Sequence, residues 1–306
     1  MKIPNLNETV VEALEFISNS NYPELNIDDS KIIFVTGSGN ALNTGKILFA
    51  NQAAIFSDES NFKKNLEAYR AVVSQGLIDQ AVIISASGEK DSVWEVEAAK
   101  EMGLNTLLLT CTQDSSASEI ADQTLVYQKI SEPYTYNYST YMGMILGKTK
   151  ESAKEILDFS KNLKFPKKFG EYESYAFIFP DKHGQVGPMV EIKRNELFGP
   201  HMALRAFTFG HARHAGFVHP WKKELVITIG DKNVHFGHKD HRWDISLPRS
   251  ADYGLIISLA YYIVGKIQSV KNPYFKENIE SFCLDYGPKA YGKKQTFEVI
   301  VPGTNI

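Results

Sequence analysis

Short apolar runs alternate with longer stretches whose apolar residues recur every three or four positions, and the alternation fills the first half of the chain. Residues 31–36, 53–56, 81–84, 106–110 and 124–127 read as strands. Brief apolar runs bounded by turn residues suit strands buried on both faces. Between them, 41–49, 62–73, 93–102 and 116–121 carry helical spacing, and Gly103 stands where a helix C-cap is expected. A helix opens the chain from residue 7 or 8 to 18, and one long helix covers 141–159. Strands alternating with helices predict a parallel sheet with helices on both sides.

Residues 165–170, Phe-Pro-Lys-Lys-Phe-Gly, combine proline, glycine and charge as linkers do. A second α/β region follows, with strands at 175–179, 224–229 and 243–247 and helices at 189–197 and 251–267. The expected division is therefore a domain over 1–165 and another over 166–306. Residues 255–264 are apolar nearly all round, which means a buried helix; ten residues are too few to span a bilayer.

Composition narrows the function classes. With 43% apolar and 23% charged residues the chain is an ordinary globular one. A net charge of −3 gives no reason to expect nucleic acid or an anionic membrane as partner. Two cysteines, Cys111 and Cys283, make no disulfide framework, and a cytoplasmic location is expected. The first residues contain no apolar signal core.

Two turns carry candidate chemistry. Gly37-Ser38-Gly39-Asn40 and Ser85-Ala86-Ser87-Gly88-Glu89-Lys90 each join the carboxyl end of a strand to a helix. Ligands bind at that edge of open α/β sheets. First-turn N–H groups lack partners there and the helix dipole is positive, so an anion is favoured. Turning the chain requires glycine but not hydroxyls, so the second turn points more sharply to a phosphate. The first turn lacks the third glycine of a dinucleotide fingerprint, and Gly45-Lys46 lacks the upstream glycine of a P-loop.

These turns, with Gly103, Thr110 and Ser118-x-x-Ala121-Asp122, resemble the SIS (sugar isomerase) domain. The second half resembles the second SIS domain of the isomerase part of glucosamine-6-phosphate synthase, through residues 191–196 (Glu-Ile-Lys-Arg-Asn-Glu), His201, Gly210-His211 and Lys293-x-x-Thr296-x-Glu298. The resemblance runs from about Lys31 onward, dense in the first half and sparser in the second. It implies two parallel-sheet domains, a phosphorylated sugar as ligand, no cofactor, and a homodimer with shared active sites. It further implies that Ser85 and Ser87 hold the phosphate with Gly37, Ser38, Gly39, Asn40, Gly88, Glu89 and Lys90. By the same resemblance Glu196 moves a proton between sugar carbons 1 and 2, His211 from the neighbouring subunit opens the ring, Lys293 meets the carbonyl end and Lys193 lines the pocket. His214 and Lys294 are the substitutes for His211 and Lys293. Departures are Lys90 where the family often has threonine, Asn40 where it has serine, and a segment between Ile229 and Trp243 too short for the usual helix and strand. The second domain is thus expected to be trimmed. The glutaminase half is missing, so ammonia transfer from glutamine is not expected.

The chemistry holds without the family. Aldose–ketose interconversion needs a base with raised basicity, a histidine for ring opening and a cation for the enediolate oxygen. All eight histidines fall between His183 and His241, and His235, His238 and His241 are spaced by three. Gly237 and Asp240 make that run a loop, and no metal is expected. Two functions follow: a phosphosugar isomerase or deglycase working through an enediolate, or a sugar-phosphate sensor without turnover, which Asn40 and Lys90 favour.

Overall fold

The computed structural model describes residues 3–28 and 30–304; the outermost residues of both expected domains, Met1, Lys2, Asn305 and Ile306, lie outside the described residues, as does Asp29. The chain forms two compact units. The first comprises Asn19–Ile130, Ser139–Lys150 and the residues from Gly303. The second takes the residues up to Ser18, with Ser131–Tyr138 and Glu151–Pro302. Membership is thus discontinuous, whereas the sequence reading drew one boundary, at 165/166.

In chain order, α1 (Leu6–Ile17) opens the second unit. The first unit follows with β1 (Ile32–Thr36), α2 (Asn40–Leu48), β2 (Ala54–Ser57), α3 (Phe62–Ala68), α4 (Arg70–Ser74), β3 (Ile78–Ile84), α5 (Asp91–Glu101), β4 (Asn105–Thr110), α6 (Ser116–Ile120) and β5 (Gln123–Val126). Next come β6 (Glu132–Pro133), α7 (Ser139–Thr149) and α8 (Ala153–Lys161). The second sheet and its helices are β7 (Ser174–Phe179), α9 (Val186–Phe198), β8 (Ala203–Thr208), α10 (Phe209–Ala212), β9 (Glu224–Ile229) and β10 (Arg242–Ile245). The chain closes with α11 (Tyr253–Val270), α12 (Tyr274–Ser281), α13 (Gly287–Ala290) and β11 (Ile300–Val301), which pairs with β6.

The first sheet has the order β2-β1-β3-β4-β5 and every pairing is parallel. One face packs Phe34, Ile83 and Leu108 against Phe62 and Leu66 of α3, Val96 and Ala99 of α5 and Ala117 of α6. The second sheet, read from its other edge, has the order β8-β7-β9-β10, again all parallel. It repeats the first four positions of the first sheet and stops there, so the trimmed second domain is what the chain builds.

Helix α1 buries Leu6, Val10, Ala13, Leu14 and Ile17, a 3.6-residue stripe, against α11 and α8. A Cβ on Gly265 of α11 would meet the Asn7 amide nitrogen at 1.9 Å, so this close helix approach needs glycine. By length and composition α11 qualifies as a membrane span at mean hydropathy 1.2, but 83% of it is buried inside the protein. It packs on α1, α8 and α9.

The expected helix over 141–159 is two helices. Lys150 sits at φ 60°, outside helical geometry. Glu151 turns its carboxylate to the N–H groups of Asp252, Gly254 and Leu255, capping α11. The segment predicted over 62–73 also divides, into α3 and α4. Strand β8 was not anticipated. It carries Arg205, whose guanidinium grips Glu224 of β9 through Nε and Nη2 and gives Nη1 to Gly216 O at 2.7 Å.

Candidate active site

In the first unit, strand order reverses between β1 and β3, and the two singled-out turns leave the carboxyl ends of those strands. That is the crevice where doubly wound sheets take ligands. Ser38 and Gly39 are exposed, and Asn40 begins α2 with its side chain 7% exposed and Oδ1 buried without a hydrogen-bond partner. In the second turn Gly88 has φ 63°, and a Cβ there would lie 2.0 Å from Ser115 Oγ; only glycine fits. Ser85 Oγ accepts from the Gly88 N–H at 3.2 Å and Ser87 Oγ from the Glu89 N–H at 3.3 Å. Each hydroxyl keeps a proton to donate. The Glu89 carboxylate is turned away to Ser116, taking its N–H at 3.0 Å and its hydroxyl at 2.8 Å. Lys90 is exposed and holds φ 61° at the start of α5. Nine of the ten expected binding positions, 37–40, 85 and 87–90, therefore gather on one sheet edge, and Lys193 belongs to the second unit.

The second unit brings Lys193 and Glu196 together. One helical turn of α9 places them on the same face, Nζ to Oε2 at 2.5 Å. Lys193 is 0% exposed; it also donates to the Thr135 carbonyl and stands 5.5 Å from the centre of the Tyr261 ring. Glu196 keeps 21% of its side chain open. Burial raises its pKa, and the Lys193 charge and hydrogen bond oppose that rise. Thr135, which sequence reasoning missed, is β-branched yet holds φ 73°, and its Oγ1 is buried without a partner. Its neighbour Tyr134 has its pKa pushed up to about 12, first by burial and then by Tyr291, Cys283 and Glu196. Tyr134 also stacks on Phe297 at 5.3 Å, and Tyr291 meets the same Phe297 at 5.8 Å. The exposed Lys293 and Lys294 lie between Tyr291 and Phe297 in the chain, so the terminal segment is anchored beside Tyr134.

His211 is not part of this cluster. It lies in α10, just past the carboxyl end of β8, with its N–H on Thr208 Oγ1 at 3.2 Å. Glu196 lies near the end of α9, which leads into the amino end of β8. The six residues of β8 separate the two by about 17 Å of strand. His211 and His214 are both exposed. Nearby, Asp181, Phe209, Arg213, His235 and Phe236 line an open surface cavity of about 580 Å³. In the polar loop, the Tyr172 hydroxyl pairs with His241 Nδ1 at 2.9 Å and the Asp240 N–H donates to His238 Nδ1 at 3.3 Å. Among the described residues no three His, Cys, Asp or Glu side chains converge as a metal-holding group.

Sequence reasoning also missed Glu95 of α5, which is 1% exposed and accepts a hydrogen bond from Thr36 Oγ1 at 2.8 Å. The available signal was an acid between Ser92, Val96 and Ala99 on the buried face of α5.

No protein-family model and no curated protein sequence matches the chain. Solved structures do. A protein from Clostridium difficile 630 provisionally described as a phosphosugar isomerase superposes with TM-score 0.62 at 13% identity, over 95% of this chain and 98% of that one. The C-terminal domain of glucosamine-fructose-6-phosphate aminotransferase from Francisella tularensis gives 0.57 at 14% identity, over 87% and 93%. Tagatose-6-phosphate ketose/aldose isomerase from Escherichia coli gives 0.56 at 12% identity, over 88% of each. At such identities the likeness establishes the fold. The chain has the SIS fold in two copies, the second reduced to four strands.

Proposed function

We propose that this protein is a phosphosugar isomerase or sugar-phosphate deglycase acting through a cis-enediolate. The observation that carries the reading is the Lys193–Glu196 pair: a carboxyl of raised pKa beside a fully buried ammonium. A carboxylate so placed can take the weakly acidic proton at sugar carbon 2 and return it at carbon 1. The names of the structural relatives, among them a ketose/aldose isomerase, support the same chemistry. Ser85, Ser87 and the neighbouring N–H groups take the phosphate, with Gly37, Ser38, Gly39, Asn40 and Lys90 around it. Lys293 steadies the enediolate oxygen.

In this reading His211 opens the sugar ring in the site of a second copy, because its own Glu196 stands at the far end of β8. A two-fold homodimer follows. We also propose a cytoplasmic location, which two buried cysteines outside any disulfide suit.

The test is a panel of hexose and pentose phosphates in heavy water, read by NMR for exchange at carbon 2. Exchange supports an isomerase or deglycase; binding without exchange marks a sensor. Ser87→Ala should weaken the binding of an active ester by about 1–3 kcal/mol through a lost charge-assisted hydrogen bond. If the unphosphorylated sugar binds as tightly as its ester, the phosphate role of these turns is wrong.

A further inference from the structure

A carboxyl group lies under the carboxyl-edge turns of the first unit, and the chemistry above does not use it. Glu95 is one turn into α5, about 6 Å along the helix axis from Asp91. Thr36, whose hydroxyl binds Glu95 Oε1, ends β1 and directly precedes Gly37. The charged groups acting on Glu95 are themselves acidic: Asp91 on its own helix, and Glu59 and Asp58 from the β2–α3 connection. From α3, Lys63 sits over the Trp94 ring at 5.0 Å, and Glu67 is taken by Arg70 at 2.5 Å. From α6, Glu119 is exposed. Among the described residues no cation forms an ion pair with Glu95. A carboxyl buried in such surroundings favours its neutral form. Burial is the chief cause of a pKa raised from 4.5 to about 7.

We infer that Glu95, held by Thr36, is a positioning residue that couples sugar-phosphate binding to the uptake of one proton. This inference rests on the phosphosugar reading. The neutral acid ties the end of β1 to α5 and adds no negative charge to that of Asp91 beneath the turns. The ionised acid opposes the incoming phosphate. The coupling runs both ways: a phosphate at the start of α5 makes Glu95 hold its proton more tightly, so affinity falls as pH rises through the range where free Glu95 ionises.

The experiment is calorimetric titration of the full chain with fructose 6-phosphate between pH 7 and pH 9. The window lies above the second ionisation of the ester, near 6, which otherwise strengthens binding as pH rises. Binding should be about five- to tenfold weaker at pH 9 than at pH 7, since one pKa unit corresponds to a tenfold change. Buffers of different ionisation enthalpy should reveal proton uptake. Glu95→Gln should bind equally at both pH values, with no proton uptake. Thr36→Val removes a bond that favours the charged form, so the fall in affinity should move to higher pH; this variant serves if Glu95→Gln does not fold. Parallel pH profiles for the wild type and Glu95→Gln, or an unmoved profile in Thr36→Val, overturn the inference and leave the phosphosugar reading standing. If the wild type binds none of the phosphate esters at either pH, the phosphosugar reading fails and takes the inference with it.

Discussion

Glu196→Gln is expected to slow proton exchange at sugar carbon 2 by 10²–10⁴-fold, about 3–5 kcal/mol of barrier, while leaving phosphate-ester binding nearly intact. Glutamine keeps the shape of the side chain, and its carbonyl oxygen can still accept from Lys193 Nζ, now 2.5 Å from Oε2. What it lacks is a proton-accepting charge. The turns proposed to take the phosphate lie on the first sheet and Glu196 on α9, so the substitution should leave those turns unaltered. Exchange rates in heavy water beside calorimetric affinities check both halves. Near-normal exchange in the variant would remove Glu196 from its role and leave Glu191, exposed on the same helix, or the sensor reading.

Removing Lys193 should act on stability and chemistry together. Lys193→Met fills similar space, but it leaves a desolvated carboxyl without its cation and the Thr135 carbonyl without its donor. Breaking a buried pair from one side costs about 3–5 kcal/mol, readable as a lower urea midpoint. Lys193 now holds the Glu196 pKa down against burial. Without it the carboxyl rises further and is charged only at higher pH. A base must be charged to work, so the acid limb of the pH–rate profile should move up, with the rate depressed on that limb and partly restored as pH rises. The same sign applies to folding: a carboxyl raised in the folded state loses stability as pH rises from its ordinary value towards the raised one, so the variant should weaken as pH climbs above the usual carboxylate range. An unshifted acid limb would show that Lys193 does not govern the charge of Glu196.

The parts legible in the sequence are those whose cause is local. Strands β1, β3 and β4 are apolar runs, and the turn at 85–90 announces itself by serine and glycine. Strand β8 escaped because Ala203–Thr208 has no such run; Arg205 in its middle is accommodated by Glu224, far along the chain. The break between α7 and α8 escaped because apolar spacing continues across it, and its cause is the distant start of α11, which recruits Glu151. The site divides likewise. The Lys193–Glu196 spacing is written in one helix, but Thr135 enters only through a backbone conformation, and Glu95 only when Thr36 is brought to it by the sheet. No sequence pattern shows that β8 stands between Glu196 and His211.

The pairing of α1 with α11 has a consequence in time. The Leu6 N–H finds its acceptor, Gln268 Oε1, 262 residues later. At a synthesis rate of roughly 5–20 residues per second, the stripe formed by Leu6, Val10, Leu14 and Ile17 waits about 13–50 s on the ribosome before its partner helix has emerged. Throughout that interval most of the first unit can assemble, while α1 has only α8 to meet once that helix emerges and the face that takes α11 stays uncovered. Premature release would therefore yield a sticky product, and a chaperone acting early would be expected to grip this helix.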